Sequence, residues 1–382
     1  MTERMRDGVI KRGATFSYVV REKDPATGKT RPRWIGGFQT RKAAKDARDA
    51  ARNAVNRGTY VAPQDLTVGA YLDRWLDGHS MELKPSTVAS YRQKIDTYLR
   101  PAIGHERVQA LSPSRLSVVF REMQEHGGAN GKPVSPRTVE FARAVLRRAM
   151  RDAVVDRLIE INPVTGSKTP KKDGKPKHTT WTGEQVQTFL DAMAGTRFAL
   201  LWQLALATGM RRGEVMALIW QHADLDAGIV SVERSTTQIG RELVTTTPKN
   251  HERRRVELDS RTVAALRAWR RQQAEERLAW GAGYEDTEGI VFTKENGSRP
   301  TPNSASKAFL RAQAGLGLPR ISFHEMRHSH ATILLRDGVP VHIVSRRLGH
   351  KDPSVTLNVY ADVIPDDDTS AVDVFSRAVW GT

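Results

Sequence analysis

The stretch over residues 166–180 constrains the fold of this chain more than any other feature of its sequence. It contains five lysines, two glycines and two prolines, and it shows no apolar period. A segment of this composition has no face to bury, because glycine and proline interrupt regular elements and lysine stays solvated. The sequence therefore predicts a flexible basic linker between two globular regions, and not one continuous core.

The charge balance indicates the kind of partner that such a chain binds. Its 382 residues carry 60 Lys and Arg against 43 Asp and Glu, a net charge of +17. An excess of this size is typical of proteins that bind nucleic acid. The chain has no cysteine, which excludes a disulfide framework, a cysteine nucleophile and a thiolate zinc site. No signal peptide or membrane span is apparent, so we expect a soluble cytoplasmic protein with no membrane partner.

Residues 1–62 predict a small β-sheet followed by one helix. Apolar and polar residues alternate around Phe16–Val20, which is the period of a strand. The helix is expected over 41–57, with Gly58 as its stop. The segment holds about half of the excess positive charge. Four basic residues fall at helical spacing on one predicted face, namely Arg41, Lys45, Arg48 and Arg52. The face could simply be solvated, but its charge density favours a DNA-binding module held by phosphate contacts.

Residues 63–165 predict an all-α domain of four helices. Two of the helices begin at Ser112-Pro113 and Ser135-Pro136, and proline after serine is a strong start signal. The last helix has a basic side that we expect to contact DNA. The candidate contacts on this helix and in the linker are Arg143, Arg147, Lys171 and Lys172.

Residues 181–365 predict a mixed α+β domain. A nearly all-apolar helix over 197–207 precedes a helix from Arg212 to Trp220, and three more helices are expected downstream. Between them lie three strand-like runs that predict a three-stranded sheet: Gly228–Ser235, Arg241–Thr247 and Arg253–Leu258. The whole chain is thus predicted to be a multidomain, mainly α protein.

His324-Glu325-Met326-Arg327-His328 matches the HExxH pattern of zinc peptidases. The third ligand is not evident, because Ala331 and Leu334 occupy the glycine and histidine positions of the longer zinc pattern. A strongly basic chain is also an unusual peptidase. Zinc hydrolysis is therefore kept as a minor alternative, and no metal is expected.

Six residues of this region have types that suit phosphoryl transfer on DNA. In chain order they are Arg211, Lys249, His324, Arg327, His350 and Tyr360. Together with the surrounding Thr-Gly-Met-Arg-Arg-Gly-Glu, His-Glu-Met-Arg-His-Ser-His-Ala-Thr, Leu-Gly-His and Val-Tyr motifs, they resemble the tyrosine recombinase (phage integrase) family. The motifs cover residues 181–361. Domain order extends the resemblance to the whole chain, with an arm-type DNA-binding domain over 1–62 and a SAM-like core-binding domain over 63–165.

The resemblance implies how the scissile phosphate is bound. Arg211 and Arg327 would clamp the non-bridging oxygens of the phosphorane, since guanidinium is planar, always charged and bidentate. His350 would hydrogen-bond a non-bridging oxygen. Glu214, three residues after Arg211, would orient His350 or an arginine. Arg212 is more simply explained as a contact to the phosphate backbone.

The resemblance also implies the steps of the reaction. Tyr360 would attack phosphorus and form a covalent 3′-phosphotyrosine. Lys249, on a turn between two strands, would protonate the leaving 5′-oxygen, and His324 would accept or shuttle the proton of the nucleophile. His328 is interpreted as structural. Because the ester bond is conserved and arginines carry the charge, no ATP, metal or other cofactor is expected.

The same resemblance predicts the assembly. Four copies would pair two DNA duplexes, exchange strands through a Holliday junction, and integrate or excise a phage or mobile element. The tail over 366–382 would pack on a neighbouring copy. The expected partners are core-type and arm-type attachment sites and DNA-bending or excision proteins. The expected location is the nucleoid in the cytoplasm of a bacterial host. The alternative is a DNA-binding regulator that keeps the fold but does no chemistry.

Overall fold

The computed structural model of the chain describes residues 8–23, 30–170, 179–248, 253–286, 288–360 and 376–380. They are mainly helical with small β-sheets, and no helix in these ranges has the length and apolar character needed to cross a membrane. The chain divides into two compact units, Met1–Gly174 and Lys175–Thr382, and this boundary falls inside the predicted linker. Three candidate residues, Lys171, Lys172 and Lys249, and most of the tail lie outside the described residues.

The first unit begins with the predicted sheet and helix. Strands β1 (Val9–Arg12), β2 (Thr15–Lys23) and β3 (Thr30–Phe38) form an antiparallel sheet in that order. Helix α1 (Arg41–Arg57) packs on the sheet. The side chain of Thr40 accepts a hydrogen bond from the first turn, and Gly58 ends the helix in the left-handed conformation with φ 72°.

Arg48 departs from the predicted basic face of α1. Its side chain is only 9% exposed and forms an ion pair with Asp49 at 2.7 Å. The expectation of four exposed basic residues on one face is wrong at this position, because Arg48 falls at helical spacing between the buried residues Ala44 and Ala51. Val55, near the end of the same helix, is exposed although it is apolar.

The rest of the first unit is helical around one apolar core. Its helices are α2 (Val68–His79), α3 (Pro85–Lys94), α4 (Arg100–Ile103), α5 (Pro113–His126) and α6 (Pro136–Val155). A π-helical turn over Ile95–Leu99 joins α3 to α4, and Pro101 lies in the first turn of α4. The wider turn precedes a residue that has no N–H to donate, and the helix continues to Gly104.

The second unit is a mixed α+β structure, as predicted. Its helices are α7 (Gly183–Ala192), α8 (Ala199–Thr208), α9 (Arg212–Val215), α10 (Ser260–Trp280), α11 (Pro302–Ala312), α12 (Phe323–Arg336), α13 (Val341–Leu348) and α14 (Pro353–Tyr360). Its strands are β4 (Ala223–Asp224), β5 (Ile229–Val232), β6 (Ser235–Ile239), β7 (Glu242–Thr246) and β8 (Arg254–Glu257). Aromatic side chains of Trp181, Phe189, Trp202 and Phe309 pack together at the centre of its core.

The predicted three-stranded sheet exists with different members. Strand β5 is central and pairs with the short β4 on one side and with β8 on the other, whereas β7 pairs with β6 in a separate hairpin. The sequence run around 241–247 therefore belongs to the hairpin, which turns at Gly240 with φ 59°. Helix α9 is also shorter than predicted, because after Val215 the chain turns and the backbone of Trp220 bonds to Gly289.

Candidate active site

The turn at the end of α8 positions the side chains of the two predicted catalytic arginines. Gly209 adopts the left-handed conformation with φ 64°, which suits glycine because a Cβ is disfavoured there. The chain then turns so that Arg211 becomes the N-cap of α9. The carbonyl oxygen freed at Gly209 accepts a hydrogen bond from Nη1 of Arg327 at 2.8 Å. The turn thus connects α8 to the side chain of a predicted catalytic arginine on α12.

Glu214 holds two arginines in place. Its carboxylate is 2% exposed and accepts hydrogen bonds from Nη1 of Arg211 at 2.9 Å and from Nη2 of Arg254 at 2.6 Å. Burial alone would raise the pKa of Glu214, but the hydrogen bond and charge of Arg254 and the charge of Arg211 keep it below the usual value. Glu214 thus contacts two arginines, and its role in orienting His350 or an arginine stays a prediction.

Arg327 is buried with one donor group unsatisfied. Its Nη1 donates to the carbonyl oxygens of Gly209 and Leu348, whereas Nη2 is buried with no hydrogen-bond partner among the described residues. Burial and the charge of Arg211 lower the pKa of Arg327 to about 9. A buried unpaired N–H of a cation is costly, so this geometry suits the binding of an anion.

The turn at the end of α13 accepts hydrogen bonds from both predicted catalytic arginines. Nη1 of Arg327 donates to the carbonyl of Leu348 at 2.7 Å, and Nη2 of Arg211 donates to the carbonyl of Gly349 at 3.2 Å. Gly349 ends α13 in the left-handed conformation. His350 follows directly, and its Nδ1 lies 2.7 Å from Oγ1 of Thr356. Burial and the charges of Arg327 and Arg211 lower the pKa of His350 to about 4, so its imidazole is neutral at pH 7.

Tyr360 ends α14 in a buried position. Its ring packs among apolar residues of α12 and α13 and is 3% exposed. Burial raises the pKa of Tyr360 to about 12, although the charge of Arg327 opposes that shift. Its Oη lies 2.6 Å from Nδ1 of His328, so the nearest imidazole to the phenol is a residue that the sequence interpretation took to be structural.

The other predicted catalytic residues have distinct surroundings. His324 is exposed on the first turn of α12, and its ring packs edge-on against that of His328 with 5.1 Å between centroids. Arg212 donates to the hydroxyl of Ser306 at 2.7 Å. Lys249 lies outside the described residues, so its assignment stays a prediction.

The HExxH pattern does not gather a metal site here. Across the parts of the chain that the structure describes, no group of three or more His, Asp or Glu residues could hold a metal ion. The second histidine of the pattern, His328, has its Nδ1 beside Tyr360. The donor set therefore gives no support to the zinc alternative.

The candidate DNA contacts fall into two groups. The exposed ones are Arg41, Lys45, Arg52 and Arg147. Arg143 is engaged within its own unit, since its Nη2 donates to the carbonyls of Val164 and Ser167 at 3.2 Å each. These hydrogen bonds hold the chain segment that follows α6 against the helix. We therefore expect Arg143 to contribute more to the structure of this unit than to DNA binding.

Two residues of the site were missed from the sequence. Arg254 is the middle one of three consecutive arginines at the start of β8, and nothing local distinguishes the one that reaches Glu214 and the carbonyl of Arg347. His328 was interpreted as structural, because its neighbours His324 and Arg327 accounted for the motif. The sequence separation of His328 and Tyr360 does not predict their contact, because the two residues meet only through the packing of α12 against α14.

This combination of an arginine pair, a buried tyrosine and supporting histidines defines a class of enzyme that cuts and rejoins DNA with a tyrosine nucleophile. The phage integrase family model matches residues 180–366, and the model of the N-terminal SAM-like domain of phage integrases matches residues 67–118. The chain belongs to the phage integrase family of tyrosine recombinases. Its activity is site-specific recombination of DNA.

Curated relatives match along most of the chain. A tyrosine recombinase XerC-like protein of Caldanaerobacter subterraneus is 28% identical over 357 residues, covering 88% of this chain and 90% of the relative. The ICEBs1 integrase of Bacillus subtilis is 23% identical and covers 92% of this chain and 93% of its own.

Solved structures share the fold. The Tn1549 transposon integrase in complex with transposon right end DNA matches with a TM-score of 0.67 at 18% identity, covering 82% of this chain and 99% of that one. A lambda integrase tetramer bound to a Holliday junction matches with a TM-score of 0.57 at 18% identity, covering 92% and 98%.

Proposed function

We propose that this recombinase cleaves and rejoins DNA with Tyr360 as the nucleophile and with Arg211, Arg327 and His350 as the phosphate-binding set. The observation that carries the proposal is the turn at Leu348-Gly349, whose consecutive carbonyls accept hydrogen bonds from both arginines immediately before His350. One turn of backbone thus gathers three side chains suited to a single phosphate.

The arginines act by stabilising charge that develops in the transition state. The non-bridging oxygens of a phosphodiester gain negative charge as phosphorus becomes five-coordinate. Nη2 of Arg327 is buried and unpaired among the described residues, so a phosphate oxygen would satisfy it. Arg211 is oriented by Glu214, and that carboxylate is in turn shared with Arg254. The guanidinium positions are therefore fixed before DNA binds.

His350 acts as a neutral hydrogen-bond donor. With a pKa of about 4 it does not carry charge at pH 7. In the tautomer whose Nδ1 accepts from the Thr356 hydroxyl, Nε2 carries the proton and can donate to a non-bridging oxygen. A neutral donor adds a hydrogen bond without another charge beside the two arginines.

The covalent step balances without an external cofactor. The Oη of Tyr360 forms a bond to phosphorus, the bond from phosphorus to the 5′-oxygen breaks, and the product is a 3′-phosphotyrosine with a free 5′-hydroxyl. We assign the proton donor for the leaving oxygen to Lys249, and we expect His324 to exchange the proton of the nucleophile with solvent. The reverse of these steps rejoins the strands without ATP.

We further propose the following organisation. Residues 1–62 bind arm-type sites, 63–165 bind core-type sites, 166–180 link the units, and 181–365 carry the catalysis. Four copies act on two DNA duplexes through a Holliday junction, and the 366–382 tail packs between neighbouring copies. The DNA substrate sets a nucleoid-associated location in the cytoplasm of a bacterial host, with DNA-bending or excision proteins as further partners. This arrangement serves the integration or excision of a phage or mobile element.

A nicked suicide substrate tests the proposal against a non-catalytic regulator. The nick lets a short fragment diffuse away after cleavage and traps the covalent complex, which a denaturing gel reveals. We expect an adduct that persists in EDTA and disappears in Tyr360→Phe. A chain that binds the site tightly but forms no adduct would be the regulator, and adduct formation that EDTA abolishes would point to a metal.

A further inference from the structure

We propose that His328 holds the nucleophile and takes its proton as the phenol attacks phosphorus. The inference rests on the function proposed above and deepens it by naming the base. It assigns a catalytic role to a residue outside the six that the family resemblance supplied.

The contact between the two side chains is direct. Oη of Tyr360 lies 2.6 Å from Nδ1 of His328, and the ring centroids are 5.5 Å apart. His328 is 8% exposed and Tyr360 is 3% exposed. A hydrogen bond this short between two buried groups fixes the phenolic oxygen more firmly than a solvated contact would.

Packing keeps the phenol at this distance. The Tyr360 ring belongs to a small apolar cluster with Ala331 and Leu335 of α12 and Val344 and Leu348 of α13. Three helices therefore define where the ring sits relative to His328. The imidazole and the phenol are therefore in contact before DNA binds, because the same core positions both residues.

The neighbouring residue ties the nucleophile to the phosphate site. Arg327 and His328 are consecutive on α12, so their side chains leave the helix about 100° apart. Arg327 turns toward Gly209 and Leu348, whereas His328 turns toward Tyr360. The positive charge of Arg327 also acts on Tyr360 and stabilises its phenolate. Adjacent positions on α12 thus place the phosphate-binding Arg327 next to the proposed base, His328.

The buried phenol needs a base at neutral pH. Because burial raises the pKa of Tyr360 to about 12, almost all of it is protonated when it attacks. As Oη bonds to phosphorus, its proton passes to Nδ1 of His328, and the general acid protonates the leaving 5′-oxygen. On rejoining, His328 returns the proton to Oη as the phosphotyrosine bond breaks. Both directions conserve protons and electrons.

His324 then has a different part in the same path. Its ring lies one helical turn before His328 and is exposed, with 5.1 Å between the two centroids. This position suits a contact to DNA or exchange of protons with solvent. The side chain in contact with the phenol is that of His328.

The test replaces His328 and measures single-turnover adduct formation on the suicide substrate. His328→Gln keeps a hydrogen-bonding group but cannot take up a proton, and we expect cleavage to slow on the order of 100-fold with DNA binding and Tm unchanged. His328→Asn is a second variant in case glutamine unfolds the chain. His342→Gln, an exposed histidine on α13, is the matched control and should cleave as the unmodified chain does.

Two bypass experiments separate proton transfer from a structural role. A fluorinated tyrosine at position 360 has a more acidic phenol, so it should recover most of the activity lost in His328→Gln. A substrate with sulfur at the bridging 5′ position needs no protonation of its leaving group, so it should rescue Lys249→Ala but not His328→Gln.

Distinct results separate failure of the inference from failure of the proposed function. If the unmodified chain forms no adduct, the proposed function is wrong. If it forms one and His328→Gln cleaves at the same rate, or the acidic tyrosine restores nothing, the role of His328 is overturned while the function stands.

Discussion

Arg327 shows how far a single side chain can be committed to a site. It is 4% exposed, donates to two carbonyls and keeps one buried N–H group unpaired among the described residues. Burying a cation in this way costs stability unless an anion completes its surroundings. A pKa lowered to about 9 still leaves the guanidinium charged at pH 7. The surroundings of Arg327 therefore suit the binding of an anionic ligand more than they suit the stability of the ligand-free protein.

Replacement of Arg327 by lysine should separate charge from geometry. Lysine keeps the positive charge but cannot donate to the carbonyls of Gly209 and Leu348 while also reaching a phosphate oxygen. We expect Arg327→Lys to slow adduct formation by roughly 100-fold to 1,000-fold, which is typical of losing one donor to a transition-state oxyanion. Single-turnover cleavage rates at saturating protein measure the effect. Arg336→Lys, at the exposed end of α12, is the control. Equal rates for both variants would contradict this role.

The buried histidines make the second unit sensitive to acid. Nδ1 of His330 lies 2.8 Å from the carbonyl of Leu206, and its Nε2 accepts from Arg347. Burial and the charge of Arg347 lower the pKa of His330 to about 3, and burial with the arginines lowers that of His350 to about 4. Unfolded histidine titrates near 6.5. The unfolded chain therefore binds protons first as the pH falls.

The sign of the stability change follows from that order. The contribution of His330 and His350 to the free energy of unfolding is complete above about pH 6.5. It is lost as the pH falls from there through the pKa values of the folded state, at about 1.4 kcal/mol per pH unit for each histidine. We expect the free energy of unfolding to fall between pH 6.5 and 4, with a shallower slope in His330→Gln. Denaturant titrations over this pH range measure it. A slope unchanged by the substitution would exclude His330 as a cause.

At the scale of elements, local signals could be predicted and non-local pairing could not. The bounds of α1 agree with the sequence interpretation, because a helix start, its periodic pattern and its stop are all local signals. The sequence did not reveal that β7 pairs with β6 and that β8 pairs with β5, since strand pairing is decided by contacts far apart in the chain. Five of the six catalytic candidates lie in the described part of the chain, whereas the contacts of His328 and Arg254 needed tertiary packing to be seen.

Gly209 gives a test at this scale. A Cβ there would lie 2.7 Å from both the His330 ring and Leu348, in a backbone conformation that disfavours side chains. Gly195 has the same handedness, with φ 79°, but open space around it. We expect Gly209→Ala to destabilise the chain by roughly 1–3 kcal/mol more than Gly195→Ala and to slow cleavage, because it displaces the carbonyl that holds Arg327. Thermal unfolding and adduct rates would measure both effects. Similar losses in the two variants would argue against the close packing of this turn.

At the scale of the whole molecule, the net charge of +17 is divided by task. Arg211, Arg254 and Arg327 are held in the candidate active site by hydrogen bonds to protein groups. Other basic side chains, such as those of Lys45 and Arg52 on α1, are exposed. Charge counting alone indicated nucleic acid, and the structure separates arginines packed inside the second unit from basic side chains exposed on α1.

The exposed face of α1 can be tested by salt dependence. Replacing Arg41, Lys45 and Arg52 together by alanine should weaken binding to arm-type DNA and reduce the slope of log affinity against log salt by up to about 3. Core-site cleavage should stay unchanged. Fluorescence anisotropy at several salt concentrations measures the slope. An unaltered slope would remove this face from the DNA contact.

The most direct measurement of the central claim is mass spectrometry of the trapped complex after protease and nuclease digestion. The account predicts a single peptide spanning Tyr360 that carries a nucleotide through its 3′-phosphate, formed equally well in EDTA. A nucleotide attached through a 5′-phosphate, or attached to a residue other than Tyr360, would contradict it.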